Sequence, residues 1–212
     1  MNFTTRIFAL TACLSITLAT AQKKDISLEE IMNGAFRQNR MLSLRSLQDG
    51  KHYMMQEYDR QNREMRVDKY SYTTGKKLET IINSSAIDEI DNLQTFELSA
   101  NESKAILGTN VTQIYRRSVE GLYFVYDIAN NALTQIDKDK IQEPHFSPDN
   151  SKVAFVKDNN IYFKSLADNS TKQVTTDGEK NKIINGLTDW VYEEEFAFVK
   201  AFEWSPDGQY IA

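Results

Sequence analysis

Three consecutive glutamates, Glu193-Glu194-Glu195, are the residues of this chain whose type and spacing best suit chemistry. Trp190, Tyr192 and Phe196 flank them, within a segment from Asn185 to Phe196 that ends shortly before a Trp-Ser-Pro-Asp-Gly unit. An arbitrary acidic triplet reads as a solvated turn. The aromatic flanks argue instead that part of this segment is anchored in a core or cleft, where clustered carboxylates need a cation. In a strand, Glu193 and Glu195 would share a face. In a helix or tight turn, neighbours lie only about 100° apart, and two adjacent carboxylates can converge on one ammonium group. Asp189 is placed to cap such a turn.

Other chemistry is thin. The sequence holds no Gly-x-Ser-x-Gly elbow, phosphate-binding glycine loop or His-Glu-x-x-His pair. Its two histidines, His52 and His145, are isolated and sit in or beside strand-like runs, so both read as structural. Nothing suggests a catalytic residue, a metal site or a cofactor. At 212 residues, 41% hydrophobic and 26% charged, the chain has ordinary globular composition. A net charge of −5 with scattered cations argues against a nucleic-acid partner.

The elements that must position the acidic segment come next. Residues 1–21 read as a secretory signal: a basic start, an apolar run from Ile7 to Leu18, then Ala19-Thr20-Ala21 as the cleavage site. Leu10-Thr11-Ala12-Cys13 resembles a lipoprotein box, but the apolar run before Cys13 is too short, and the plain signal is preferred. Cys13 is the single cysteine, so the mature chain must hold together by packing without disulfides. An exported protein follows, periplasmic, cell-surface or secreted. Residues 22–43 form a lead-in with a short helix over Asp25–Ile31, capped by Asp25 or Ser27 and stopped by Asn33-Gly34.

From residue 44 onward the pattern is strands and turns. Runs such as His52–Tyr58, Val67–Tyr72, Lys104–Leu107, Leu122–Asp127, Lys152–Val156 and Asn160–Ser165 are rich in β-branched and aromatic residues. A repeat organises them. Phe146-Ser147-Pro148-Asp149-Asn150 matches Trp204-Ser205-Pro206-Asp207-Gly208, with weaker copies at Leu98–Asn101 and Gln48–Gly50. Recurrence at roughly 50 residues, with about four strands between copies, is the period of a propeller blade. The fold class expected is all-β: a partial β-propeller over residues 44–212, about three blades plus the start of a fourth.

Two motifs resemble a known family. Asp189-Trp190-Val191-Tyr192-Glu193-Glu194-Glu195 is similar, residue for residue, to the signature of the dipeptidyl peptidase IV family, and Gln113-Ile114-Tyr115-Arg116-Arg117-Ser118 resembles its aromatic-Arg-x-Ser segment. The resemblance implies that Glu194 and Glu195 bind the free α-amine of a peptide substrate, and that Arg116 steadies the glutamates and the first carbonyl. It implies a preference for Pro or Ala at the second residue, and a homodimer in the full-length protein. Tyr115 stands where some members have Trp, and Val119 where others have Tyr. The family's α/β-hydrolase domain with its Ser, Asp and His would lie outside this stretch, so binding of free peptide N-termini is the function expected of these residues.

A non-catalytic exported propeller that binds peptides or proteins is the competing reading. The clustered glutamates weigh against it, because a bare propeller has no need of them beside Arg116. An open arc of blades leaves its last sheet without a neighbour. Expressed alone, these residues should therefore be poorly soluble or partly unfolded; a monomeric elution profile with a cooperative melt would contradict this.

Overall fold

The computed structural model describes residues 25–38, 44–62, 64–90 and 92–212. The signal-peptide reading of residues 1–21, with Cys13, and the exact limit between lead-in and propeller lie outside them. The chain divides into two units, residues 1–41 and 42–212.

In the first unit, Leu28–Met32 forms helix α1. Of the two caps expected, Ser27 is the one used: its side chain accepts from the Glu30 N–H, and Glu30 reaches back to the Ser27 N–H. This reciprocal box satisfies two of the donors that a helix start leaves open. Asn33 caps the other end, and Gly34 turns the chain away at a φ of 73°.

The second unit carries three four-stranded antiparallel sheets. They comprise β1 (Leu44–Ser46) to β4 (Lys77–Asn83), β5 (Thr95–Leu98) to β8 (Ala132–Gln135), and β9 (Gln142–Phe146) to β12 (Thr171–Gln173), each ordered as in the sequence. Between them run β2 (His52–Asp59), β3 (Glu64–Ser71), β6 (Lys104–Gln113), β7 (Val119–Asp127), β10 (Lys152–Lys157) and β11 (Asn160–Ser165). A bridge between Trp204 and Ile211 opens a fourth sheet. This is the partial β-propeller expected.

The repeat marks the first hairpin of every blade, and its weak copies fold like its strong ones. The Gly50, Glu102, Asn150 and Gly208 N–H groups donate to the carbonyls of Leu47, Ser99, Ser147 and Ser205. All four turn residues take a left-handed φ, between 59° and 66°. Asp49, Asn101, Asp149 and Asp207 each accept from the N–H two residues on. Such short oxygen-bearing side chains stabilise turns locally.

Blades stack face to face, which explains the unbroken apolar runs in their second strands. On β6, Ala105 and Leu107 pack with Val67 and Ile82 of the first blade, while Ile106 turns the other way, towards Val153 and Phe155. On β10, Ala154 and Val156 face Phe202 and, further out, Trp204 and Ile211. A strand buried on both faces cannot alternate with polar residues.

Strands β6 and β7, which carry the loop nearest the acidic segment, outrun their expected limits. β6 continues past Leu107 to Gln113, and β7 starts at Val119 rather than Leu122, with a bulge between Thr109 and Thr112. The polar run after Leu107 hides this extension, because these arms need only pair with each other.

His145 has a structural setting between blades. Its Nδ1 lies 3.4 Å from Glu97 of β5 and its Nε2 lies 3.3 Å from Glu143 of β9. Burial alone would lower its pKa, but the bonds to Glu143 and Glu97 outweigh that and push it up to about 9. A histidine raised from an ordinary value near 6.5 favours the folded state fully below that pH and loses the contribution as pH climbs through about 9. Denaturant titrations of the full-length protein from pH 6 to 10 should show a fall on the order of 2–3 kcal/mol that His145→Gln flattens; an equal fall in the variant would contradict the assignment.

Candidate functional site

The acidic segment folds as helix α2, Trp190–Phe196, at the tip of a hairpin between the third blade and the opening of the fourth. Strands β13 (Gly186–Leu187) and β14 (Lys200–Ala201) pair to form the stem. Its neck is closed by the Thr188 N–H donating to the Val199 carbonyl and the Thr188 hydroxyl donating to the Phe198 carbonyl. The helical alternative for the three glutamates is thus the one adopted. Asp189 is the N-cap, its side chain accepting from the Tyr192 N–H at 3.0 Å. At the far end, Ala197 adopts the left-handed conformation at φ 63° and closes the helix through the Glu193 carbonyl.

The anchoring is the reverse of that expected from the sequence. Trp190, Tyr192 and Phe196 are exposed, and the group buried is a carboxylate: Glu193, with 3% of its surface accessible. Its Oε1 accepts from the backbone N–H groups of Arg117 at 2.6 Å and Ser118 at 2.9 Å. Burial would raise its pKa, yet these two donors hold it below the ordinary carboxylate value. Charge-assisted bonds of this kind contribute about 1.5–3 kcal/mol each, enough to offset the loss of water. The aromatics pack on one another at the surface instead, with Tyr192 ring centroids 5.4 Å from Phe196 and 6.0 Å from Phe198.

Arg117 and Ser118 belong to the loop joining the long arms of β6 and β7. The loop is closed upon itself, Ile114 donating to the Ser118 carbonyl and the Gln113 side chain to the Arg116 carbonyl. Arg116 then extends to α2, its Nε 3.2 Å from Glu194 Oε2; the arginine side chain is 69% exposed and that of Glu194 18%. The structure therefore brings Arg116 and Glu194 together. Glu195 follows on the exposed side of the helix, with no ion-pair partner among the described residues.

Sequence reasoning missed the part Glu193 plays. One signal was available: a single ammonium group needs two carboxylates, and the segment supplies three. A cavity of about 500 Å³ adjoins the site, with Tyr115, Ser118, Lys157 and Glu193 in its wall.

Comparison with known proteins bears on the family and the fold. The family model for the dipeptidyl peptidase IV (DPP IV) N-terminal region matches residues 99–212. Among curated proteins, the chain is similar to prolyl endopeptidase FAP of Bos taurus, 35% identical over 74% of this chain and 21% of that protein. It is 36% identical to dipeptidyl aminopeptidase B of Saccharomyces cerevisiae over 57% of this chain and 15% of that one. The solved structure of Porphyromonas gingivalis dipeptidyl peptidase 4 superposes with a TM-score of 0.74 at 34% identity, covering 89% of this chain and 27% of that one. The chain thus spans about a fifth of the length of the curated relatives it matches.

The helix ends make a direct test. Removing the cap with Asp189→Ala should cost the hairpin about 1 kcal/mol. Ala197→Gly should stabilise it by up to about 1 kcal/mol, because glycine adopts the left-handed conformation without strain. Amide exchange at Glu193 and Ala197 reads both effects, and faster exchange in the glycine variant would refute the second.

Proposed function

The chain belongs to the dipeptidyl peptidase IV N-terminal region family, and on that premise we propose that it is the substrate-recognition part of an exported serine dipeptidyl peptidase. Residues 1–21 would direct export and be removed, residues 22–43 would lead in, and residues 44–212 would form part of the propeller. Nucleophilic serine, histidine and aspartate would come from a hydrolase domain elsewhere in the full-length protein.

The observation that carries this reading is the ion pair of Arg116 with Glu194 on a helix whose next residue is Glu195. A peptide α-amine has an ordinary pKa near 8 and is largely cationic at neutral pH. Glu194 and Glu195, about 100° apart on the helix, would accept hydrogen bonds from the ammonium N–H groups, and its positive charge would offset theirs. Arg116 would keep Glu194 in place and present its remaining guanidinium donors to the first carbonyl.

Anchoring the amine also measures the substrate. Extended chain advances about 3.3–3.6 Å per residue, so a nucleophile roughly 7 Å further on meets the second peptide bond and releases a dipeptide. A blocked N-terminus offers no charge to the glutamates, and an internal segment offers none either. Free peptide N-termini are the partners this site would select, with Xaa-Pro or Xaa-Ala starts preferred through the hydrolase domain.

In the full-length protein, Glu194→Ala or Glu195→Ala should lower kcat/KM for an Xaa-Pro anilide with a free amine by roughly 10- to 150-fold, the worth of one charged hydrogen bond. The N-acetylated counterpart should respond little. Equal losses on both substrates would refute the amine site. Peptide binding without any turnover would favour a non-catalytic binding module.

A further inference from the structure

Glu193 takes no part in the amine reading, yet it is the best-buried glutamate of the segment. We propose that Glu193 is the positioning residue of the amine site: its carboxylate fastens the loop Ile114–Ser118 to α2 and thereby holds Arg116 against Glu194. The inference rests on the amine-binding reading above and adds the part that assembles it.

Consider what ties the loop to the helix. The bonds from Ile114 to Ser118 and from Gln113 to Arg116 shape the loop internally and reach nothing beyond it. Between the two segments stand the Arg116–Glu194 pair and the bonds from the Arg117 and Ser118 amides to Glu193. An ion pair whose arginine is 69% exposed is screened by water and holds little by itself. Paired amides converging on one buried oxygen behave differently: removing the oxygen would leave two donors unsatisfied. Position must therefore come from Glu193, and Arg116, one residue before the clasped amides, inherits it. Burial, with Oε1 already taken by two amides, sets Glu193 apart from its two neighbours as an amine ligand.

Its test uses the full-length protein and two readouts. Hydrogen–deuterium exchange at the Arg117 and Ser118 amides should be at least tenfold faster in Glu193→Ala, while Leu107 and Phe124 in the blade keep their protection. Selectivity, taken as the ratio of kcat/KM for a free-amine Xaa-Pro anilide to that for its N-acetylated form, should fall at least tenfold in Glu193→Ala. Glu193→Gln, which retains an acceptor oxygen, should restore the ratio to within threefold of the unmutated protein. Unchanged exchange overturns the clasp, and faster exchange with an unaltered ratio overturns its positioning role. Absence of any free-amine preference in the unmutated protein would instead sink the amine reading itself. Should Glu193→Ala also lose protection at Leu107 and Phe124, Glu193→Asp takes its place with the same outcomes.

Discussion

A carboxylate can leave water only where fixed donors replace it, and that constraint shapes the acidic end of this chain. Glu193 is buried, so the Arg117 and Ser118 amides must meet it. Their meeting joins a seven-residue helix to a hairpin loop in another blade. Neither segment is extensive enough to hold its geometry by apolar burial, since the aromatics of the helix face outward. The polar clasp takes the place of a core.

Behind it stands a scaffold governed by a different rule. The second and third blades bury both faces, so adjacent residues of β6 and β10 serve separate cores. The same arrangement leaves polar groups caught between blades, and His145 is one of them, bracketed by Glu97 and Glu143. Its pKa is raised because the bonds to these two carboxylates outweigh the opposing effect of burial. In the first blade, Asp68 is fully buried and answered by Lys77 at 2.8 Å and the Thr80 hydroxyl at 2.7 Å. In both places a charge is tolerated because its counter-charge comes with it.

Charge also distinguishes the three glutamates from one another. Backbone dipoles satisfy Glu193, a guanidinium faces Glu194, and Glu195 meets no cation among the described residues. One helix therefore carries a structural carboxylate, a shared one and an open one, in that order along the chain. Identical side chains acquire different roles because successive helical positions face different surroundings.

Much of the fold was legible because its determinants are local. Ser147 and Asp149 shape their turn through partners at most five residues away, as do Ser205 and Asp207, and Asp189 caps its helix three residues on. Runs rich in β-branched and aromatic residues, such as Lys152–Val156, marked strands, and the family motifs named Glu194, Glu195 and Arg116 as a set. The sequence could not tell that β6 and β7 run on as polar arms, or that the aromatic flanks would face solvent while a glutamate went inside. Those outcomes depend on donors at Arg117 and Ser118, some 75 residues from Glu193. Local chemistry determined the turns, strands and cap; only the tertiary structure decided which of three identical carboxylates is buried, because that choice belongs to the amides brought against it.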